Sequence, residues 1–201
     1  MKKINVAIVG ASGFTGLELV KMLCVHPIFE ITYVANSEGN IKLTELHPSL
    51  EGVCEFDVQK ADAKDISKVA DLAFLALPHQ ASMGFAKQLI ALGVKVVDLS
   101  ADYRLELDTY EKYYCPHEDK ENLSNAVYGM PEFYREDIKG ANLIANPGCY
   151  PTASLLALMP FVPYIKEHQS VFIDAKSGVS GAGKKLSETT AFVTVNDNVF
   201  A

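Results

Sequence analysis

Apolar positions along the chain alternate between two periods. Ile4 to Val9 is a short, β-branched apolar run that ends in a glycine, the pattern of a strand buried on both faces. From Phe14 the period changes: Phe14, Leu17, Val20 and Leu23 or Cys24 recur at helical spacing until His26-Pro27 stops the segment. Glu30 to Ala35 returns to a strand pattern, so the chain opens as a βαβ unit. The same alternation predicts a strand over Leu72–Leu77 closed by Pro78, a helix over Ala81–Leu92 ended by Gly93, and a strand over Lys95–Asp98. Residues 102–130, with tyrosines, charges and Pro116, read as a long, partly irregular excursion. Asn142–Asn146 resumes as a strand, and Thr152–Met159 reads as a helix with Pro151 suited to its first turn. After Pro160 and Pro163, Val171–Ala175 reads as a strand. A glycine loop, SGVSGAG, follows, and then TAFVTVNDNVFA, which reaches Phe200-Ala201 in strand-like alternation with no helix to cover it.

Strands alternating with helices predict an α/β fold with a mostly parallel sheet. Residues 1–148 form one such unit, and 149–201 read as the incomplete beginning of a second α/β region. The length of 201 residues agrees, being more than one typical domain and less than two. Apolar residues make up 49% and charged ones 21%, which excludes a disordered chain. The net charge of −7, without a basic run, argues against nucleic acid or an anionic membrane as partner. No apolar stretch approaches the length of a membrane span, and the apolar run after the N-terminal lysines is too short for a signal peptide. The four cysteines, Cys24, Cys54, Cys115 and Cys149, show neither CxxC pairing nor metal spacing, so no metal is expected. They read as free thiols in a reducing, cytoplasmic setting.

Gly10-Ala11-Ser12-Gly13-Phe14-Thr15-Gly16 is a GxxGxxG sequence between the first strand and the first helix. In that setting glycines permit a tight turn, a close approach of backbone to a pyrophosphate, and close packing of helix on sheet. The helix start adds oriented N–H groups and partial positive charge. This is the signature of a Rossmann-type dinucleotide site. The second strand ends in Ala35-Asn36-Ser37 rather than in an acid, and the hydroxyls of Ser12, Thr15 and Ser37 suit a 2′-phosphate. NADP is the expected cofactor, with Glu38 leaving NAD open. Pro78 and His79 follow the third strand and would lie beside the nicotinamide, His79 shaping the pocket rather than moving protons.

Cys149 lies in Asn146-Pro147-Gly148-Cys149-Tyr150-Pro151-Thr152, between a strand and a helix. The dipole at a helix start favours the thiolate, the nucleophilic form. Cys24, Cys54 and Cys115 lack that setting and read as small apolar fillers. Arg104, in SADYR, is the candidate for gripping a phosphate, since guanidinium matches phosphate oxygens bidentately. The loop Ser177 to Gly183 offers backbone N–H groups and Ser180 for an oxyanion or a substrate carboxylate.

Taken in order, GASGFTG, FLALPHQAS, VVDLSADYRL, YGMPE, NPGCYPT and SGVSGAGKK resemble the N-acetyl-gamma-glutamyl-phosphate reductases of arginine biosynthesis along nearly the whole chain. The resemblance implies a small acyl phosphate substrate, attack by the Cys149 thiolate, a thioester, and reduction by hydride from NADPH. It implies substrate contacts at Arg104, Ser177 and Gly178, cofactor contacts at Ser180 and Gly181 besides those of the glycine turn, and a homo-oligomer at full length. The family's general acid/base histidine stands downstream of SGVSGAGKK, and none of His26, His47, His79, His117 or His168 matches it. The resemblance therefore implies a chain truncated before that histidine. Two other readings stay open: an enzyme of the aspartate-semialdehyde dehydrogenase type, which shares the architecture, and a non-catalytic NADP-binding module.

Overall fold

A computed structural model describes residues 3–199. The chain divides into two units, one ending at Thr152 and the other starting at Ala153. In the first, β1 (Ile4–Val9), α1 (Phe14–Cys24) and β2 (Phe29–Asn36) form the expected βαβ opening. There follow β3 (Ile41–Lys42), α2 (Leu43–Leu46), β4 (Asp57–Lys60), α3 (Ala63–Val69), β5 (Leu72–Leu75), α4 (Ala81–Ala91) and β6 (Lys95–Asp98). The excursion then holds α5 (Leu107–Tyr113), α6 (Lys120–Asn125) and β7 (Val127–Tyr128), before α7 (Pro131–Gly140), β8 (Leu143–Ala145) and α8 (Cys149–Leu158), which runs on into the second unit.

The sheet order is β3-β4-β2-β1-β5-β6-β8-β7, and every neighbouring pair is parallel except β3 with β4. β1 lies between β2 and β5, so the chain leaves it first to one side and later to the other. That reversal opens a crevice at the carboxyl ends of the strands, where ligands of open α/β sheets bind. Both faces of the sheet are covered. Ala7 and Val9 of β1 pack with α3 and α4 residues such as Ile66, Met83 and Leu89. Val6 and Ile8 pack with Leu19, Val20 and Leu23 of α1 and with Leu43 and Leu50. Side chains alternate across a strand, so an apolar residue at almost every position of β1 serves two cores.

Two buried carboxylates fix the loop after β6. Asp98 accepts hydrogen bonds from the hydroxyls of Ser82 and Ser100 and from the Ser100 N–H. Asp102 accepts from the Gln80 N–H at 2.8 Å, the Met83 N–H at 3.1 Å and the Tyr110 hydroxyl at 2.8 Å, which caps the start of α4. Burial, together with the neighbouring Asp119, pushes the Tyr103 hydroxyl well above its ordinary value, so it remains a donor to Asp119.

The second unit departs from the sequence reading. Val171–Ala175 has no ladder partner among the described residues and forms no strand, with Phe172 95% exposed. A strand needs a neighbour to satisfy its backbone, and its apolar pattern cannot supply one. The strand-like run TAFVTVNDNVFA instead begins on the last residue of a short 3₁₀ turn, Glu188–Thr190, and carries one helical turn, α9 (Phe192–Val195), while Phe200-Ala201 lie outside the described residues. The four thiols are not all free either, because Cys24 and Cys54 are joined as a disulfide with their Cα atoms 6.6 Å apart. They lie 30 residues apart in sequence and meet only where α1 packs on the segment after α2, which spacing could not reveal. Among the described residues no helix is long and apolar enough to cross a membrane.

Burial holds the Asp98 carboxyl above its ordinary 3.8, against the opposing pull of the Ser100 and Ser82 hydrogen bonds. An acid raised in this way contributes stability that is full below its unfolded value and is lost as pH rises through its folded one. The Asp98→Asn variant cannot ionise. The unfolding free energy of the wild type minus that of Asp98→Asn, from urea titrations, should therefore fall as pH is raised from about 3 toward 7. A difference constant with pH would contradict this.

Candidate functional site

Four loops meet the carboxyl edge of the sheet, after β1, β5, β6 and β8, and every sequence-predicted site residue of the first unit except Ser37 lies on them or on the helix starts they feed. Ser37 follows β2 at the same edge. The loop after β1 is the glycine turn. Gly10 has φ +93°, and a Cβ there would lie 2.7 Å from the Ala76 carbonyl carbon; one at Gly16 would lie 2.5 Å from the Gly10 oxygen and 2.7 Å from the Ala11 Cα. No other residue fits those two positions. Gly13 is the N-cap of α1, no side chain caps the helix, and its first turn holds no acid. A helix start left in that state suits an anionic phosphate, so the turn fits the pyrophosphate of a dinucleotide. Ser12 is half-buried, and Phe14 and Thr15 are exposed on the first turn.

Beyond β2 the chain bends around Asn36. Its side-chain oxygen accepts from the Glu38 and Gly39 N–H groups, and its amide donates to the Ser12 hydroxyl at 3.0 Å. Ser12, Asn36, Ser37, Glu38, Asn40 and Glu45 border a cavity of about 550 Å³. Hydroxyls and carboxylates share this cavity, and its charged lining is acidic. The sequence reading missed two supports here. The buried His47 ring meets the Ala11 carbonyl at 2.7 Å and so braces the glycine turn from outside. Asn36 builds the bend itself, and an Asn two residues before an acid and a glycine was its visible signal.

Pro78 and His79 follow β5 and are exposed. His79 Nδ1 accepts the Ala101 N–H at 2.9 Å, which leaves the ring proton of a neutral His79 on Nε2, and the ring packs edge-on against Tyr114 at 5.7 Å. Arg104, on the loop after β6, is half-buried, with its Nε on the Asn146 carbonyl at 2.8 Å and its Nη2 on the Leu99 carbonyl at 2.6 Å. After β8, Cys149 is exposed and is the first residue of α8. Cys115 is only partly exposed and packs beside the core formed with α3 and α4.

In the second unit, Val179–Ala182 forms a 3₁₀ turn. The Ser177 hydroxyl donates to the Gly178 carbonyl at 3.2 Å, the Gly181 N–H bonds the same carbonyl at 3.0 Å, and the Gly183 N–H bonds the Ser180 carbonyl at 3.0 Å. A Cβ at Gly181 would lie 2.5 Å from the Ser177 oxygen. The loop is a folded turn built from its own residues. No group of three or more His, Cys, Asp and Glu that could hold a metal ion occurs among the described residues.

Residues 5–141 match the semialdehyde dehydrogenase NAD binding domain, and residues 149–201 match the semialdehyde dehydrogenase dimerisation domain. Among curated relatives, the chain is 66% identical over 198 residues to an N-acetyl-gamma-glutamyl-phosphate reductase of Sulfurovum sp., covering 98% of the chain and 59% of the relative. It is 62% identical to the same-named protein of Wolinella succinogenes, covering 100% of the chain and 60% of the relative. The chain thus spans about 60% of the length of these relatives. In fold it is similar to an aspartate semialdehyde dehydrogenase of Candida albicans solved with NADP, with TM-score 0.65, 19% identity, and coverage of 98% of this chain and 55% of that one.

The arrangement predicts an order of thiol reactivity. Iodoacetamide at pH 7 should label Cys149 first and Cys115 more slowly, and should reach Cys24 and Cys54 only after reduction. Peptide mapping that places the first label on Cys115 would contradict it.

Proposed function

The chain belongs to the semialdehyde dehydrogenase family, and from that premise we propose that it carries the cofactor site and nucleophile of an NADPH-dependent N-acetyl-gamma-glutamyl-phosphate reductase. The observation that carries this reading is the pairing, at one sheet edge, of a glycine turn built for a pyrophosphate with an exposed cysteine at a helix start. A dinucleotide-binding module without catalysis would need only the first. The two relatives' shared name points to the substrate, an acyl phosphate, in preference to the aspartate-type alternative.

In this reading the Cys149 sulfur attacks the acyl carbon, the carbon–oxygen bond to phosphate breaks, and a thioester remains on Cys149. The cofactor, when bound, supplies the hydride that reduces the thioester to the aldehyde level. Gly10, Ser12, Gly13, Phe14, Thr15 and Gly16 cradle the pyrophosphate, with Ser37 and Ser12 receiving the 2′-phosphate beside the Asn36 bend. Pro78 and His79 wall the nicotinamide end, where His79 offers its Nε2 proton as a donor. Arg104 is assigned to the departing phosphate, and no acid pairs with it among the described residues. Ser177, Gly178, Ser180 and Gly181 are assigned to substrate and cofactor by resemblance alone. The match to a dimerisation domain supports assembly of the whole protein as a homo-oligomer.

Two measurements test this reading. Calorimetry should give NADPH a tighter Kd than NADH by about tenfold, about 1.4 kcal/mol; equal or reversed affinities would overturn the NADP assignment. In the whole protein, Cys149→Ser should lower kcat for N-acetyl-gamma-glutamyl phosphate by roughly 10³-fold or more. Retained turnover would overturn the nucleophile.

A further inference from the structure

We propose that Arg104 is a positioning residue for the nucleophile, tying the loop after β6 to the turn that carries Cys149 before any substrate arrives. The two carbonyls it holds, Leu99 at 2.6 Å and Asn146 at 2.8 Å, are the first residues beyond the neighbouring parallel strands β6 and β8. A guanidinium is planar, so donors on two of its nitrogens set the separation and direction of both carbonyls at once. Its remaining edge lies against the turn itself. A Cβ at Gly148 would stand 3.1 Å from Arg104 Nη1, 3.8 Å from its Cζ and 3.5 Å from Pro151 Cδ. The glycine before the cysteine is thus the residue over which the guanidinium passes.

The far side of the same turn is fixed independently. The Gly148 carbonyl accepts the Thr152 N–H at 3.0 Å and the Thr152 hydroxyl at 2.8 Å, the first bonds of α8. Cys149 therefore stands between a guanidinium clamp on one side and the first turn of its helix on the other. Arg104 is half-buried and has no carboxylate partner among the described residues. Backbone carbonyls orient it without neutralising it. This is a different task from gripping phosphate, because it is performed with the site empty, and it rests on Cys149 being the nucleophile.

The test is alkylation of Cys149 by iodoacetamide in the whole protein, in phosphate-free buffer without substrate, where phosphate gripping cannot contribute and Arg104→Lys separates the geometry of the guanidinium from its charge. Arg104→Met and Arg104→Lys should each slow Cys149 alkylation about tenfold, while Cys115, the folding control, keeps its rate. Lysine should fail to rescue, since it keeps the charge and loses the fork. Gly148→Ala, which leaves Arg104 in place and crowds it, should slow the reaction similarly, and the Arg104→Met/Gly148→Ala double variant should fall no further than either alone. Wild-type rates in both Arg104 variants, rescue by lysine, or a multiplicative double variant would each overturn the proposal. Should the Arg104 variants unfold, an unchanged rate in Gly148→Ala overturns it by itself. Turnover retained in Cys149→Ser would instead sink the nucleophile assignment, which keeps the two failures distinct.

Discussion

The backbone at Gly10 comes so close to Ala76 that a Cβ would stand 2.7 Å from its carbonyl carbon, and at Gly16 the start of α1 presses equally closely on Gly10. The first approach brings the turn after β1 against the loop after β5 at the point where the sheet reverses direction, and the second closes the turn onto its own helix. Everything else at the carboxyl edge is arranged around them. His47 braces the turn from the side of α2, and Asn36 bends the chain beyond β2 toward Ser12. Neither glycine could be exchanged for alanine without moving a main-chain segment, so the geometry of the dinucleotide site is a property of the backbone rather than of any functional side chain.

The rest of the site is held by polar groups that never face solvent. Asp102 caps α4 and holds Tyr110, and Asp98 gathers Ser82 and Ser100. Between them they fix the loop from which Arg104 projects and whose Ala101 N–H orients His79. Burying carboxylates is costly unless every lone pair is used, and here the donors converge from α4, α5 and the loop itself. The parallel ladder then puts this loop beside the turn of Cys149, because β6 and β8 are neighbours. Cys149 and the glycine turn, far apart in sequence, arrive at one edge for that reason.

Much of this was legible in the residues. The apolar runs of β1, β2, β5, β6 and β8 are buried on one or both faces, so their composition announces them. The glycine turn and NPGC motif carry their own chemistry. What could not be read was set by partners. β3 and β4 are short, and DVQK buries only Val58, so periodicity has nothing to register. The excursion after Arg104 holds short helices and an edge strand, β7, paired to β8 through a contact distant in sequence. The Cys24–Cys54 pairing and the His47 brace depend on how α2 folds back on α1. In the second unit Val171–Ala175 has the composition of a strand but no neighbour to pair with among the described residues, and composition cannot distinguish those two cases.

The most direct test of the account is to isolate the intermediate it requires. The whole protein, mixed with N-acetyl-gamma-glutamyl phosphate and no dinucleotide, should release phosphate and gain the mass of one acyl group per chain, located on the Cys149 peptide. Added NADPH should discharge that group as the aldehyde. Phosphate release without an acyl adduct, or an adduct on any other residue, would contradict a mechanism in which the turn after β8 delivers the nucleophile to a substrate beside the glycine turn.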